Sequence, residues 1–200
     1  GLEPHQVLPG NGAAELFTWV ARDAARAGLN VLPAPGFADY SRALSTWQAT
    51  TRHEPLPLRW ASGFPQTFPD PGCGDVLWVC NPHNPTGQLW SRPSLESLLD
   101  RFALVICDEA FLPLVPQGEQ HSLISRVTDH PNLVVIRSLT KLFGIAGLRL
   151  GYAVAAPDRL QQWQAWRDPW PVNGFAEHVA VQLIGNSGRY GRWSQRVQRW

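Results

Sequence analysis

Short apolar runs that stop abruptly constrain this fold more than any other feature of the chain. Residues 75–80 (DVLWVC), 103–107 (ALVIC), 133–136 (LVVI) and 150–155 (LGYAVA) are rich in Val, Leu and Ile and lack the in–out alternation of a half-exposed strand. Such runs are strands buried on both faces, and a sheet buried on both faces needs helices on each side. Helical patterns fall between them. Across 13–27, Leu16, Trp19, Val20, Ala24 and Ala27 recur at helical spacing, after a Gly10-Asn11-Gly12 turn and before Gly28. Residues 39–49, 157–166 and 175–184 read the same way, and 190–200 starts another helix. Ser91 can cap a helix running to Arg101, with Pro93 tolerated in its first turn. Residues 30–32 and 55–60 add two short strands. The expectation is an α/β domain: three layers, α/β/α, around a mostly parallel central sheet, without internal repeat or boundary.

Composition removes several classes of function. With 44% hydrophobic and 16% charged residues, the 200-residue chain is not disordered and can bury a sizeable core. Seventeen basic residues against sixteen acidic ones leave a net charge of +1, which is neither a nucleic-acid footprint nor a basic membrane patch. No apolar stretch approaches the length of a membrane span. Cys73, Cys80 and Cys107 are odd in number and, like the histidines, lack metal-ligand spacing. They read as free thiols in a reducing compartment, with no metal site. The first ten residues lack the basic-then-apolar pattern of a secretory signal, so the expected location is cytoplasmic. The chain starts on Gly1 and stops at Trp200 inside a helical pattern, which reads as a piece of a longer polypeptide.

In sheets of this kind, ligands lie at the carboxyl ends of the strands. Asn84 follows the strand ending at Cys80, and Asp108 directly follows the one ending at Cys107. Ser138, Thr140 and Lys141, the only lysine in the chain, follow the strand ending at Ile136. An amide, a carboxylate and an amine are thereby offered to one cleft. Singly, each has an ordinary explanation as a solvated lysine, a turn aspartate or a loop-shaping asparagine. Together they meet the needs of one cofactor. A lysine amine can condense with an aldehyde. A carboxylate can keep a pyridine nitrogen protonated. An amide can hold a phenolate oxygen, and hydroxyls with the N–H groups of a helix start can hold a phosphate. Pyridoxal 5′-phosphate (PLP) calls on all four.

Five segments carry a resemblance to a known family. GNGAAELF (10–17), PGFADY (35–40), NPHNPTG (81–87), DEAF (108–111) and SLTKLFGIAGLRLGY (138–152) stand in family order. They resemble the phosphate-binding turn, ring-stacking segment, Asn motif, Asp motif and lysine segment of the class I/II, fold type I, PLP-dependent aminotransferases. The resemblance spans nearly the whole chain. It implies that 1–200 is the PLP-binding large domain of that family, without its N-terminal segment and C-terminal small domain. It also implies roles. Lys141 would attach the cofactor and shuttle protons at the substrate Cα. Asp108 would pair with the ring nitrogen, Asn84 would donate to the ring oxygen O3′, and Phe37 would stack on the ring. The backbone N–H groups of Asn11 and Gly12 would hold the phosphate together with Ser138, Thr140 and Arg149. A homodimer with sites near the subunit interface is implied as well.

One departure narrows the resemblance. Many members of the family have Tyr three residues after the Asp, where it donates to O3′; here that position is Phe111. With GNGAAELF and APGFADY, this resembles the threonine-phosphate decarboxylases of cobalamin synthesis, a group related to the histidinol-phosphate aminotransferases. The implied reaction converts L-threonine O-3-phosphate to (R)-1-aminopropan-2-yl phosphate and CO2. An aminotransferase acting on a phosphorylated substrate such as histidinol phosphate is the alternative, and a PLP-binding domain without catalysis is another. A dinucleotide-binding domain is disfavoured because no GxGxxG follows the first strand.

Overall fold

The computed structural model describes residues 2–57, 63–185, 187–197 and 199. Seven strands, β1 (Val7–Gly10), β2 (Asn30–Ala34), β3 (Thr51–Pro55), β4 (Val76–Cys80), β5 (Leu104–Asp108), β6 (Leu133–Ser138) and β7 (Gly151–Val154), form one sheet in the order β1-β7-β6-β5-β4-β2-β3. β7 is antiparallel to both β6 and β1, and all the other pairings are parallel. Between and after the strands lie α1 (Ala13–Ala27), α2 (Ala38–Thr46), α3 (Arg92–Glu96), α4 (Leu139–Phe143), α5 (Pro157–Trp166), α6 (Gly174–Ile184) and α7 (Ser187–Val197).

The period of two along each strand divides the core into two layers. Trp78 and Cys80 of β4, Leu104 and Ile106 of β5, and Val134 and Ile136 of β6 pack against Leu16, Phe17 and Val20 of α1, Leu44 of α2 and Trp163 of α5. The alternate residues Leu77 and Val79, Val105 and Cys107, and Leu133 and Val135 pack on the other face against Leu95 of α3 and against Leu98, Leu99, Phe102 and Leu123. Both faces of the central strands are therefore dry, as their unbroken apolar runs require.

The fold departs from the sequence expectation at its edges. β1 falls in a segment assigned no strand, because Pro9 and Gly10 interrupt its apolar signal. Proline is compatible with an edge position, where one side of the strand makes no ladder bonds. The strand expected at 55–60 lies earlier, at Thr51–Pro55, where it pairs with β2 as a half-exposed edge; residues 58–60 of that expectation fall outside the described residues. The helix expected from Ser91 to Arg101 is one short piece, α3, followed by turns. Its cap is as read: Ser91 Oγ accepts from the Ser94 N–H. The tail expected to turn helical at 190 is already helical from Ser187, in α7; residues 198 and 200 lie outside the described residues. Among the described residues, no helix is long and apolar enough to cross a membrane.

Candidate active site

The same alternation that builds the core aims three polar side chains at one place. On the α1–α2 face, Cys80, Asp108 and Ser138 follow Trp78, Ile106 and Ile136 at the carboxyl ends of three adjacent parallel strands. In register, Cys80 stands opposite Asp108, and Asp108 opposite Ile136. A cleft opens above them, lined by Ala13, Ala14 and Phe17 of α1, Phe37, Asp39, Asn84, Asp108, Ala110, Phe111, Ser138, Thr140, Lys141 and Arg149. Seven of the nine residues expected to contact a cofactor share this lining: Phe37, Asn84, Asp108, Ser138, Thr140, Lys141 and Arg149.

Asn11 and Gly12 sit at its edge, and their N–H groups are otherwise engaged. The Asn11 N–H donates to the Glu15 carboxylate, and the Gly12 N–H donates to the Gly10 carbonyl at 2.8 Å. Ala13 and Ala14, which line the cleft, belong to the first turn of α1, where N–H groups have no acceptor within the helix. Gly12 contributes by what it lacks. At φ +82° its backbone lies against the Arg149 guanidinium, and a Cβ there would stand 2.5 Å from Nη2. A helix start, the Arg149 fork and two hydroxyls thus converge. Ser138 caps α4, its Oγ lying 2.7 Å from Thr140 Oγ1 and accepting from the Thr140 N–H at 3.3 Å.

Asp108 is 4% exposed. Its Oδ1 accepts from the Ala110 N–H at 2.9 Å, and its Oδ2 from the Tyr40 hydroxyl at 2.6 Å. Burial pushes its carboxyl up to about 6; the Tyr40 and Ala110 hydrogen bonds and the Lys141 charge hold it from rising further. Tyr40 is the residue that sequence reading missed. It is buried, and burial together with the Asp108 charge raises its pKa well above the ordinary tyrosine value, so it remains a donor. Its ring packs edge-on against Phe17 at 5.1 Å and Phe37 at 5.5 Å, and tilted on Trp78 at 5.1 Å. The signal was present, because Tyr40 follows Phe37 by three residues at a helix start, a spacing that places both on one face.

Burial likewise raises the Cys80 thiol far above its ordinary range, and Sγ bonds the Pro82 carbonyl at 3.2 Å, so it is no nucleophile. Lys141 extends from the short helix α4, its Nζ 5.4 Å from the centroid of the Phe111 ring. Behind the cleft, Glu109 faces the opposite layer. It accepts from Arg137 Nε at 2.8 Å, from Ser122 Oγ at 2.8 Å and from the Leu123 N–H at 2.7 Å. Arg137 also makes a forked pair with Glu119 at 2.8 and 2.9 Å. This network ties the loop after Asp108 to β6. Among the described residues, no group of three or more His, Cys, Asp or Glu side chains gathers so as to hold a metal ion.

PLP suits this donor set: an anion cradle at one end, a buried carboxylate deep in the cleft, and an amide, an aromatic ring and a primary amine around the space between. The fold is that of the PLP-dependent transferases of fold type I. The L-threonine-O-3-phosphate decarboxylase of Porphyromonas gingivalis, a solved structure, superimposes with a TM-score of 0.79 at 25% identity, over 94% of this chain and 56% of that one. The chain belongs to the aminotransferase class I and II family, whose family model matches residues 2–199. It is 35% identical to the threonine-phosphate decarboxylase of Salmonella typhimurium strain LT2, across 97% of this chain and 53% of that protein. It is 31% identical to a histidinol-phosphate aminotransferase of Yersinia pseudotuberculosis, across 94% of this chain and 50% of that protein. The chain spans about half the length of the curated relatives it matches.

Proposed function

We propose that this chain is the PLP-binding large domain of a cytoplasmic, homodimeric enzyme that decarboxylates L-threonine O-3-phosphate to (R)-1-aminopropan-2-yl phosphate. The observation that carries the PLP reading is the cleft itself, which gathers the sole lysine, a buried carboxylate, an amide and an anion cradle from separate elements. The identity of 35% to a threonine-phosphate decarboxylase supports the choice of substrate.

The cofactor, when bound, supplies an electron-poor ring that takes up the electron pair left on the substrate Cα as CO2 departs. The residues do the rest. Lys141 Nζ would hold the cofactor at its aldehyde carbon and would deliver the proton that Cα receives in place of the carboxylate. The Asp108 carboxylate would pair with the ring nitrogen and favour its protonated form, an electrostatic contribution aimed where charge develops. The Tyr40 hydroxyl keeps that carboxylate oriented and ionised. The Asn84 amide would donate to the ring oxygen, and Phe37 would cover a ring face and exclude water. The N–H groups at the start of α1, the Ser138 and Thr140 hydroxyls and the Arg149 fork would hold the phosphate. Phe111 offers no hydroxyl to the ring oxygen, which leaves Asn84 as its side-chain donor.

Apolar Phe175, Val181 and Ile184 stand exposed on α6, which supports a partner surface there; light scattering of the full-length protein tests the dimer. A second reading, amino transfer on a phosphorylated substrate, is supported by the identity of 31% to a histidinol-phosphate aminotransferase. The two are separated by incubating the full-length protein and PLP with threonine phosphate. Release of CO2 with no requirement for a 2-oxoacid is the expected result. Amino transfer that depends on a 2-oxoacid, without CO2, would replace the decarboxylase with an aminotransferase.

A further inference from the structure

Phe37 and Asn84 reach the cleft from two different loops, and one side chain ties those loops together. His83 is 3% exposed, and its Nε2 lies 2.7 Å from the carbonyl oxygen of Pro35, two residues before Phe37. A carbonyl only accepts, so Nε2 carries the proton and donates. Nδ1 is then the bare nitrogen of a neutral ring, and it is buried without a hydrogen-bond partner. Burial lowers the pKa of His83, in keeping with a neutral ring.

The main chain at His83 is equally held. Its N–H donates to the Gln88 carbonyl at 2.7 Å, and its own carbonyl accepts from the Gly87 N–H at 2.7 Å, which closes the 83–88 loop on itself. Asn81 clamps the base of that loop, accepting from the Trp90 N–H at 2.9 Å and donating to the Trp90 carbonyl at 3.2 Å. The loop carrying Asn84 is thus a closed unit, and the His83 ring reaches from it to the segment that presents Phe37.

We propose that His83 is a positioning residue that fixes the Phe37 segment against the Asn84 loop, so that the aromatic platform and the amide donor keep one spacing before the cofactor arrives. The inference rests on the PLP reading above. Without the cross-loop bond, the Phe37 segment must be ordered during binding, and that ordering weakens cofactor affinity.

The test uses full-length protein stripped of cofactor and compares two variants. His83→Leu keeps an apolar side chain of similar bulk and removes the donor. His83→Gln places an amide N–H within reach of the Pro35 carbonyl. PLP dissociation constants from visible absorbance, and the circular dichroism of the bound chromophore, are the readouts. The Leu variant is expected to bind about tenfold more weakly with a diminished dichroic band, and the Gln variant to stay within about twofold of wild type. A Leu variant that binds like wild type, or Leu and Gln variants weakened alike, would overturn the inference. Should the Leu variant fail to fold, the Gln variant decides: wild-type affinity supports the inference, and a tenfold loss overturns it. An Nδ1-protonated His83 in the 15N spectrum would also overturn it. Wild-type protein that takes up no PLP overturns the functional reading together with the inference, whereas wild-type uptake beside an unaffected Leu variant overturns the inference alone.

Discussion

Asp108→Asn should stabilise the cofactor-free protein at neutral pH while ending its chemistry. Burial lifts the Asp108 carboxyl from its ordinary 3.8 to about 6. At about 1.4 kcal/mol per pK unit, that is a cost of about 3 kcal/mol for carrying the ionised form inside the fold. The sign follows from linkage. The folded protein holds this proton more tightly than the unfolded chain does. The stabilising contribution is therefore complete below about pH 4 and is lost as pH rises through about 6. Asparagine has the same shape, can still accept from the Ala110 N–H and offers its amide to the Tyr40 oxygen, but it never ionises. The variant and the wild type should then unfold at similar urea concentrations near pH 4, diverge between about pH 4 and pH 6, and keep a constant gap above that, with the variant ahead by up to about 3 kcal/mol. With PLP present the order should invert, because only the carboxylate pairs with a protonated ring nitrogen, and turnover should fall by orders of magnitude. An Asn variant no more stable than wild type at pH 8, or a difference that ignores pH, would refute the claim that Asp108 sits ionised at a cost.

Other substitutions test neighbouring parts of the argument. Lys141→Ala should abolish cofactor fixed by borohydride; a fixed adduct elsewhere would remove Lys141 from its role, and the chain has no second lysine to receive it. Tyr40→Phe removes a hydrogen bond to a charged group, worth about 1.5–3 kcal/mol, and should raise the Asp108 pKa by about one to two units. The acid limb of PLP affinity should move to higher pH, and an unmoved limb would mean that Tyr40 does not tune the carboxylate. Phe111→Tyr adds a hydroxyl to the cleft wall and should lower the pH at which the visible band of bound cofactor titrates; an unchanged titration would mean that this position does not face the ring oxygen. Arg137→Met strands a buried Glu109 carboxylate and should cost about 3–5 kcal/mol in urea unfolding, and a loss below about 1 kcal/mol would contradict the network.

The parts of this protein that were legible in its sequence are those where chemistry leaves little choice of residue. Central strands must be apolar on both faces, so β4, β5 and β6 announced themselves. An amine, a carboxylate and an amide at their ends were equally plain, and all three line one cleft. β1 was not legible, since four residues with a proline become a strand only by pairing with β7, a decision made by tertiary structure. Tyr40 was overlooked because a tyrosine in a helix reads as core, which it also is. The hydrogen bonding of the turn at 11–12 was not legible either, because a side chain four residues on, Glu15, takes the Asn11 N–H. No motif records where a local carboxylate turns.

One register sets both the rigidity and the reactivity of the site. Along β5, Ile106 and Asp108 point toward α1 and α2, while Cys107 and then Glu109 point toward the opposite layer. β6 repeats this with Ile136 and Ser138 on one side and Arg137 on the other. The residues on the cleft side are left with open valences for a ligand, whereas those behind it are saturated: Glu109 accepts from Arg137, Ser122 and Leu123. A slip of one residue would exchange the two sets, turning Asp108 into the apolar layer behind the sheet and Glu109 into the cleft. The saturated pair therefore does more than hold a loop. It fixes the register that decides which carboxylate of the Asp108-Glu109 dipeptide is free to meet a cofactor.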